Sequence, residues 1–146
     1  MRESTTLNRD IFDTSVLIAL MLPHREGHLR CKKAFLESRA ASRAAISTHT
    51  IAELYSVLTG RHTVPPKEVK KMLDGNLKGV EQIILEPSDY QSSVERLIGL
   101  GIQGGAIFDT LIATSALKVG ATKLYTLNLK HFVRLGEDVA AISLEP

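Results

Sequence analysis

Apolar positions along the chain keep two rhythms. Short apolar or period-two runs bounded by turn residues occur at 7–12, 45–47, 82–85, 123–126 and 139–143, and predict five short strands. Between them, apolar residues recur at three and four spacing over 15–22, 26–41, 51–59, 66–74, 89–100 and 108–119, which predicts six helices.

Start and stop signals support these elements. Ser88-Asp89-Tyr90-Gln91 after Pro87 fits a capping box, and Thr50-Ile51-Ala52-Glu53 fits another. Gly60, Gly101 and Gly120 stand where helices should end, and Pro65-Pro66 opens a helix where a missing N–H costs nothing. Strands separated by crossover-length helices imply a parallel sheet with helices on both faces, a three-layer α/β/α arrangement. No repeat, low-complexity tract or linker divides residues 1–146, so a single domain is expected, with residues 1–6 (MRESTT) a loose polar tail.

Composition narrows the class. A chain of 146 residues, 44% hydrophobic and 23% charged, can bury roughly 70% of its unfolded surface and so needs no staple. The single cysteine, Cys31, suits a reducing compartment, and a cytoplasmic protein is expected. The apolar run at 16–22 (VLIALML) is about a third of the roughly 20 residues that span a bilayer, so neither a membrane span nor a signal peptide is expected.

Charge is uneven. Residues 28–78 carry ten Lys or Arg against four Asp or Glu, whereas the segments on either side are net acidic. That middle third is the candidate anion-facing surface.

In an open parallel sheet, function gathers where strand carboxyl ends meet the next helices. Asp13 closes the first predicted strand, Glu53 lies one turn into the helix after the second, Asp109 opens the helix at 109–114, and Asn128 follows the fourth strand. Each also has a plain structural reading: Asp13 and Asp109 as helix N-caps, Glu53 as the partner of Thr50, Asn128 as a turn residue. Their apolar neighbours, such as Phe12, Leu54 and Phe108, speak for a joint role. Carboxylates converging in a dry pocket either rise in pKa or gather a cation, and oxygen ligands alone select Mg²⁺ or Mn²⁺ over Zn²⁺. His24, His28 and Cys31 share helical spacing and read as an exposed helix face rather than a zinc site.

Asp13-Thr14-Ser15 after a strand, Ile51-Ala52-Glu53-Leu54 in a helix, Asp109-Thr110-Leu111-Ile112-Ala113, and Thr126-Leu127-Asn128 before Phe132 together resemble the PIN domain, especially the VapC-like ribonuclease toxins of toxin–antitoxin systems. Order, spacing and length match over nearly the whole chain. The resemblance implies a metal-dependent endoribonuclease in which Asp13, Glu53 and Asp109 hold one or two Mg²⁺ or Mn²⁺ ions, directly or through water, with Ser15 and Thr126 as small polar supports. It also implies a homodimer and a small antitoxin covering a hydrophobic groove; the apolar stretches at 16–22 and 34–36 suit such a groove and suit core packing equally well. Asn128 departs from the family, where many members have Asp; an amide oxygen can still ligate Mg²⁺ but removes a negative charge, so a second ion would bind more weakly.

The basic segment offers an RNA footprint, with Arg30, Lys33, Arg43 and Arg61 as candidates among its cations, although amphipathic helices ordinarily carry solvated Lys and Arg. Lys130 and His131 read as a solvated turn. Four Phe, three Tyr and no Trp argue against a stacking platform for single strands.

Two enzyme classes that also place an Asp after a first parallel strand fit less well. A haloacid-dehalogenase-type phosphatase needs a second acid two residues on, where this chain has Ser15, and a phospho-acceptor receiver needs a late lysine with no equivalent beside Asn128. A non-enzymatic alternative remains, a fold kept for binding RNA or protein, with Asn128 marking lost catalysis.

Overall fold

A computed structural model describes residues 8–146. The expected strand start at residue 7 and the tail at 1–6 lie outside the described residues. In chain order the elements are β1 (Asp10–Phe12), α1 (Thr14–Met21), α2 (His28–Ala40), β2 (Ala44–Ser47), α3 (Thr48–Thr59), α4 (Pro66–Asn76), β3 (Glu81–Ile83), α5 (Pro87–Leu100), α6 (Ala106–Lys118), β4 (Lys123–Tyr125), α7 (Leu129–Val133), α8 (Glu137–Ile142) and β5 (Ser143–Leu144).

The five strands are all parallel and lie in the order β3-β2-β1-β4-β5. The chain steps outward from β1 to β3, then returns over both strands to place β4 on the other side of β1. Right-handed crossovers in opposite directions must use opposite faces of the sheet. Alternate strand residues divide accordingly. Phe12, Ala44 and Ile46 pack with Leu17, Phe35, Leu54 and Leu58 from α1, α2 and α3, while Ile11, Ala45, Ile83 and Leu124 pack with Leu97, Ile112 and Phe132 from α5, α6 and α7. The result is three layers with two cores, as the alternation in the sequence requires.

The predicted elements are present, with local corrections. The cap of α5 sits two residues earlier than the sequence suggests: Glu86 and Asp89 form the capping box around Pro87. Likewise α3 starts at Thr48 with Ser47 as its cap, whose hydroxyl accepts from the His49 N–H, so Thr50 lies inside the helix and Glu53 is released from capping. Pro66 opens α4 and Gly101, at φ +66°, ends α5, both as expected. The strand expected at 139–143 is mostly helix. Glu137 and Asp138 fall in the first turn of α8, where negative charge is favoured, and only Ser143 and Leu144 pair with β4. Lys130 and His131, expected in a solvated turn, are exposed but lie in the helix α7, which is too short to show a period.

Buried hydroxyls in the central helix α6 are satisfied within it: Thr110 donates to the Ala106 carbonyl and Ser115 to that of Ile112, both at 2.7 Å. A helix buried along so much of its length holds Asp109, in its first turn, in a fixed place.

Candidate active site

The switch in strand order falls between β1 and β4, and the crevice outside their carboxyl ends is where open parallel sheets bind ligands. Asp13 is the single residue between β1 and α1. It stands at the N-cap position yet its side chain makes no cap hydrogen bond. Instead its Oδ2 accepts the hydroxyls of Ser15 at 2.7 Å and Thr126 at 2.9 Å. Each of those hydroxyls accepts a backbone N–H from the β4–α7 connection: Leu127 on Ser15 at 3.0 Å and Asn128 on Thr126 at 2.9 Å. With the hydroxyl oxygens taken by N–H donors, both protons point at the carboxylate.

Glu53 projects from α3 and accepts the hydroxyl of Thr14, the first residue of α1. Asp109 comes from the first turn of α6, with His131 Nδ1 3.9 Å from its Oδ2. Asp13, Glu53, Asp109 and Asn128 all line one cleft of about 300 Å³, together with Thr14, Ser15, Arg25, Arg61 and His62. Four other surface clefts are larger, 370 to 530 Å³, but each is lined by at most one carboxylate.

Electrostatics mark the same place. Burial raises the pKa of Asp13 against the opposing pull of the Ser15 and Thr126 hydrogen bonds, and the charge of Glu53 adds to the rise. Asp109 is pushed up to about 7, first by burial and then by the charges of Asp13 and Glu53, with Arg134 pulling the other way. Buried acids with a neighbour's negative charge close by form a low-dielectric cluster, which a hard cation relieves. Among the described residues, no three His, Cys, Asp or Glu side chains are gathered closely enough to hold a metal ion as they stand.

The PIN domain family model matches residues 11–138. The chain belongs to the PIN domain family. Ribonuclease VapC40 of Mycobacterium tuberculosis, in strains CDC 1551 / Oshkosh and H37Rv, is 31% identical over 122 residues, spanning 81% of this chain and 85% of the relative. Two solved structures share the fold. One is VapC20 of Mycobacterium tuberculosis, a sarcin-ricin loop cleaving toxin, with TM-score 0.67 and 16% identity over 84% of this chain and 92% of that one. The other is VapBC2 of Rickettsia felis bound to a DNA fragment from their promoter, with TM-score 0.67 and 24% identity over 93% of this chain and 97% of that one.

Within this PIN domain the four expected site residues share the cleft, and Ser15 and Thr126 both touch Asp13. Of the four basic candidates only Arg61 lines it. Arg43 pairs with Asp10 at 3.2 Å, at the opposite end of the strands, where Ser38 also donates to Asp10 at 2.7 Å. Arg30 and Lys33 are exposed on α2, outside the residues lining the acidic cleft. The His24, His28 and Cys31 trio does not form one exposed face: Cys31 is fully buried, and the His28 ring lies 2.7 Å from the Ala19 carbonyl.

Four participants escaped the sequence reading. Thr14 adjoins Asp13 but gave no sign of reaching Glu53. Arg25, His62 and Arg134 lie in or beside turns whose placement only the tertiary fold decides. Among the described residues, no helix is long and apolar enough to cross a membrane.

Proposed function

We propose that this chain is a Mg²⁺- or Mn²⁺-dependent endoribonuclease of the VapC kind, the toxin of a toxin–antitoxin pair, acting in the cytoplasm as a homodimer. The observation that carries the reading is the meeting of Asp13, Glu53 and Asp109, from three separate elements, in one cleft at the switch point of the sheet. The likeness to Ribonuclease VapC40 supports RNA as substrate, and the likeness to VapBC2 supports an antitoxin partner.

The donor set fits a hard divalent cation, because every candidate ligand is an oxygen and Asp109 is held near pKa 7 by burial and by acidic neighbours whose charge such an ion would offset. Asp13, Glu53 and Asp109 would hold it, directly or through water. When bound, such an ion supplies Lewis acidity, neutralising the phosphodiester, acidifying a water and stabilising the leaving oxygen.

The remaining work falls to the protein's own groups. Ser15 and Thr126 fix the Asp13 carboxylate in one orientation, as supports behind metal ligands do. Thr14 orients Glu53 and keeps its charge facing the cleft. Asn128 sits exposed at the mouth, where its amide can donate to a phosphate oxygen or accept from a water without adding negative charge.

Incubating purified protein with a mixed pool of structured RNAs in Mg²⁺, Mn²⁺ or EDTA, beside the Asp13→Asn variant, tests the reading. Cleavage that requires metal and vanishes in the variant is expected. Folded protein that binds RNA yet leaves it intact with both metals would replace the nuclease with a binding module.

A further inference from the structure

The cleft has a second wall. Besides the carboxylates it is lined by Arg25, from the turn between α1 and α2, and by Arg61 and His62, from the turn after α3. Both turns are built by local backbone hydrogen bonds: Arg25 N–H to the Leu22 carbonyl at 2.9 Å, and His62 N–H to the Val57 carbonyl at 3.2 Å. The two turns bring three basic side chains from distant parts of the chain into one cavity.

These groups are near one another and near no partner. Among the described residues, the side chains of Arg25, Arg61 and His62 make no hydrogen bond or ion pair, whereas Arg9, Arg43, Arg96 and Lys118 each engage a carboxylate. Desolvation, and then the positive charge of Arg25, Arg61 and His24, lowers the pKa of His62. The acids stand in the same 300 Å³ cleft, yet no Arg there approaches an acid within ion-pair distance. Gathered like charges are unfavourable on their own, and an anion between them offsets that cost.

A ligand that satisfies both sets of groups offers negative charge to the arginines and a cation, or a cation-bound oxygen, to the acids. An RNA backbone meets both conditions, and guanidinium groups grip phosphate oxygens bidentately. We propose that Arg25, Arg61 and His62 form a phosphate-anchoring wall, which holds a backbone phosphate of the RNA beside the one at the carboxylates and so fixes the strand's path across the cleft. The assignment rests on the nuclease reading for the role of the neighbouring phosphate, but the binding it requires is independent of cleavage. Of the RNA footprint expected from sequence it keeps Arg61, and joins to it Arg25 and His62 from the turns that line the cleft.

The test is fluorescence anisotropy of a labelled 20-nucleotide mixed-sequence RNA in EDTA, where no cleavage occurs, at several salt concentrations. Arg25→Ala/Arg61→Ala should bind on the order of tenfold more weakly and lower the salt slope by about 1.4, since each phosphate contact on a single strand contributes about 0.7. Arg25→Lys/Arg61→Lys should restore the slope but only part of the affinity, because lysine keeps the charge and loses the fork. The control is Lys78→Ala/Lys123→Ala, which removes two charges beside the opposite ends of β3 and β4, and it should bind like wild type. A superimposable thermal transition for each variant shows that the fold is kept. Unchanged binding and slope in the Arg25/Arg61 double variant, an equal loss in the control, or no RNA binding by wild type would each overturn the anchor. Wild-type protein that binds as described but never cleaves with Mg²⁺ or Mn²⁺ would overturn the nuclease reading and leave the anchor standing.

Discussion

Thr126 donates its hydroxyl to the Asp13 carboxylate at 2.9 Å across 113 positions of sequence, a contact that exists because β4 lies directly beside β1. The Asn128 N–H occupies the hydroxyl's acceptor side at 2.9 Å, which leaves the proton one direction to take. Replacing Thr126 by Val keeps the shape and removes the donor. The expected cost is about 1–3 kcal/mol in urea denaturation, with a further rise in the Asp13 pKa and reduced cleavage. Wild-type stability in Thr126→Val would show that Asp13 does not depend on this bond.

Asp13→Asn and Asp109→Asn should each lower metal-dependent RNA cleavage by at least about a hundredfold while preserving circular dichroism and the oligomeric state. Full activity in both would remove the acids from the reaction.

Asp109 also makes a pH signature. Its pKa of about 7 in the folded chain lies above its unfolded value near 3.9, so between those limits the native state binds more protons than the unfolded one. Its contribution to stability is therefore complete below about pH 4 and declines up to about pH 7. Metal-free protein should lose stability over that window, and Asp109→Asn should flatten the profile. Thermal melts in EDTA from pH 4 to pH 8 check this. A profile unchanged by the substitution would contradict the assignment.

The same proton competes with metal. Mn²⁺ affinity measured by calorimetry should climb steeply, approaching tenfold per pH unit below pH 7, and level off above it. A flat affinity from pH 5.5 to pH 8 would mean that Asp109 does not contribute to the ion's site.

Arg43 gives a contrasting forecast. Its partner Asp10 is buried, with Ser38 as a further donor, so Arg43→Ala should destabilise the fold by about 1–2 kcal/mol and leave RNA affinity unchanged. An equal loss of RNA binding would restore it to the footprint.

Much of the layering was legible because its causes are local. Short continuous apolar runs mark β1 and β2 as strands buried on both faces, three-four spacing gives α3 its inner face, and Pro66 names a start. Where several neighbours compete, local rules fell short. Asp13 looks like a cap, but two hydroxyls claim its carboxylate; Glu53 looks like the partner of Thr50, but Ser47 starts the helix and Thr14 takes Glu53. Arg25 and His62 carried no signal, since nothing in a turn's own sequence says which other turn it will face. At 139–143 the apolar pattern fits strand and helix alike, and the acidic first turn after Gly136 favours the helix.

The order of the strands has a temporal meaning as well. A chain growing from its N-terminus carries Asp13 and Glu53 early, yet Asp109 and the hydroxyl of Thr126 belong to the stretch that crosses back over the finished half of the sheet. Until that stretch docks, the cleft has two of its acids and no wall beside β1. A nascent or truncated chain ending before α6 therefore lacks Asp109 and the Thr126 support, and the acidic site is completed only with the last third of the molecule.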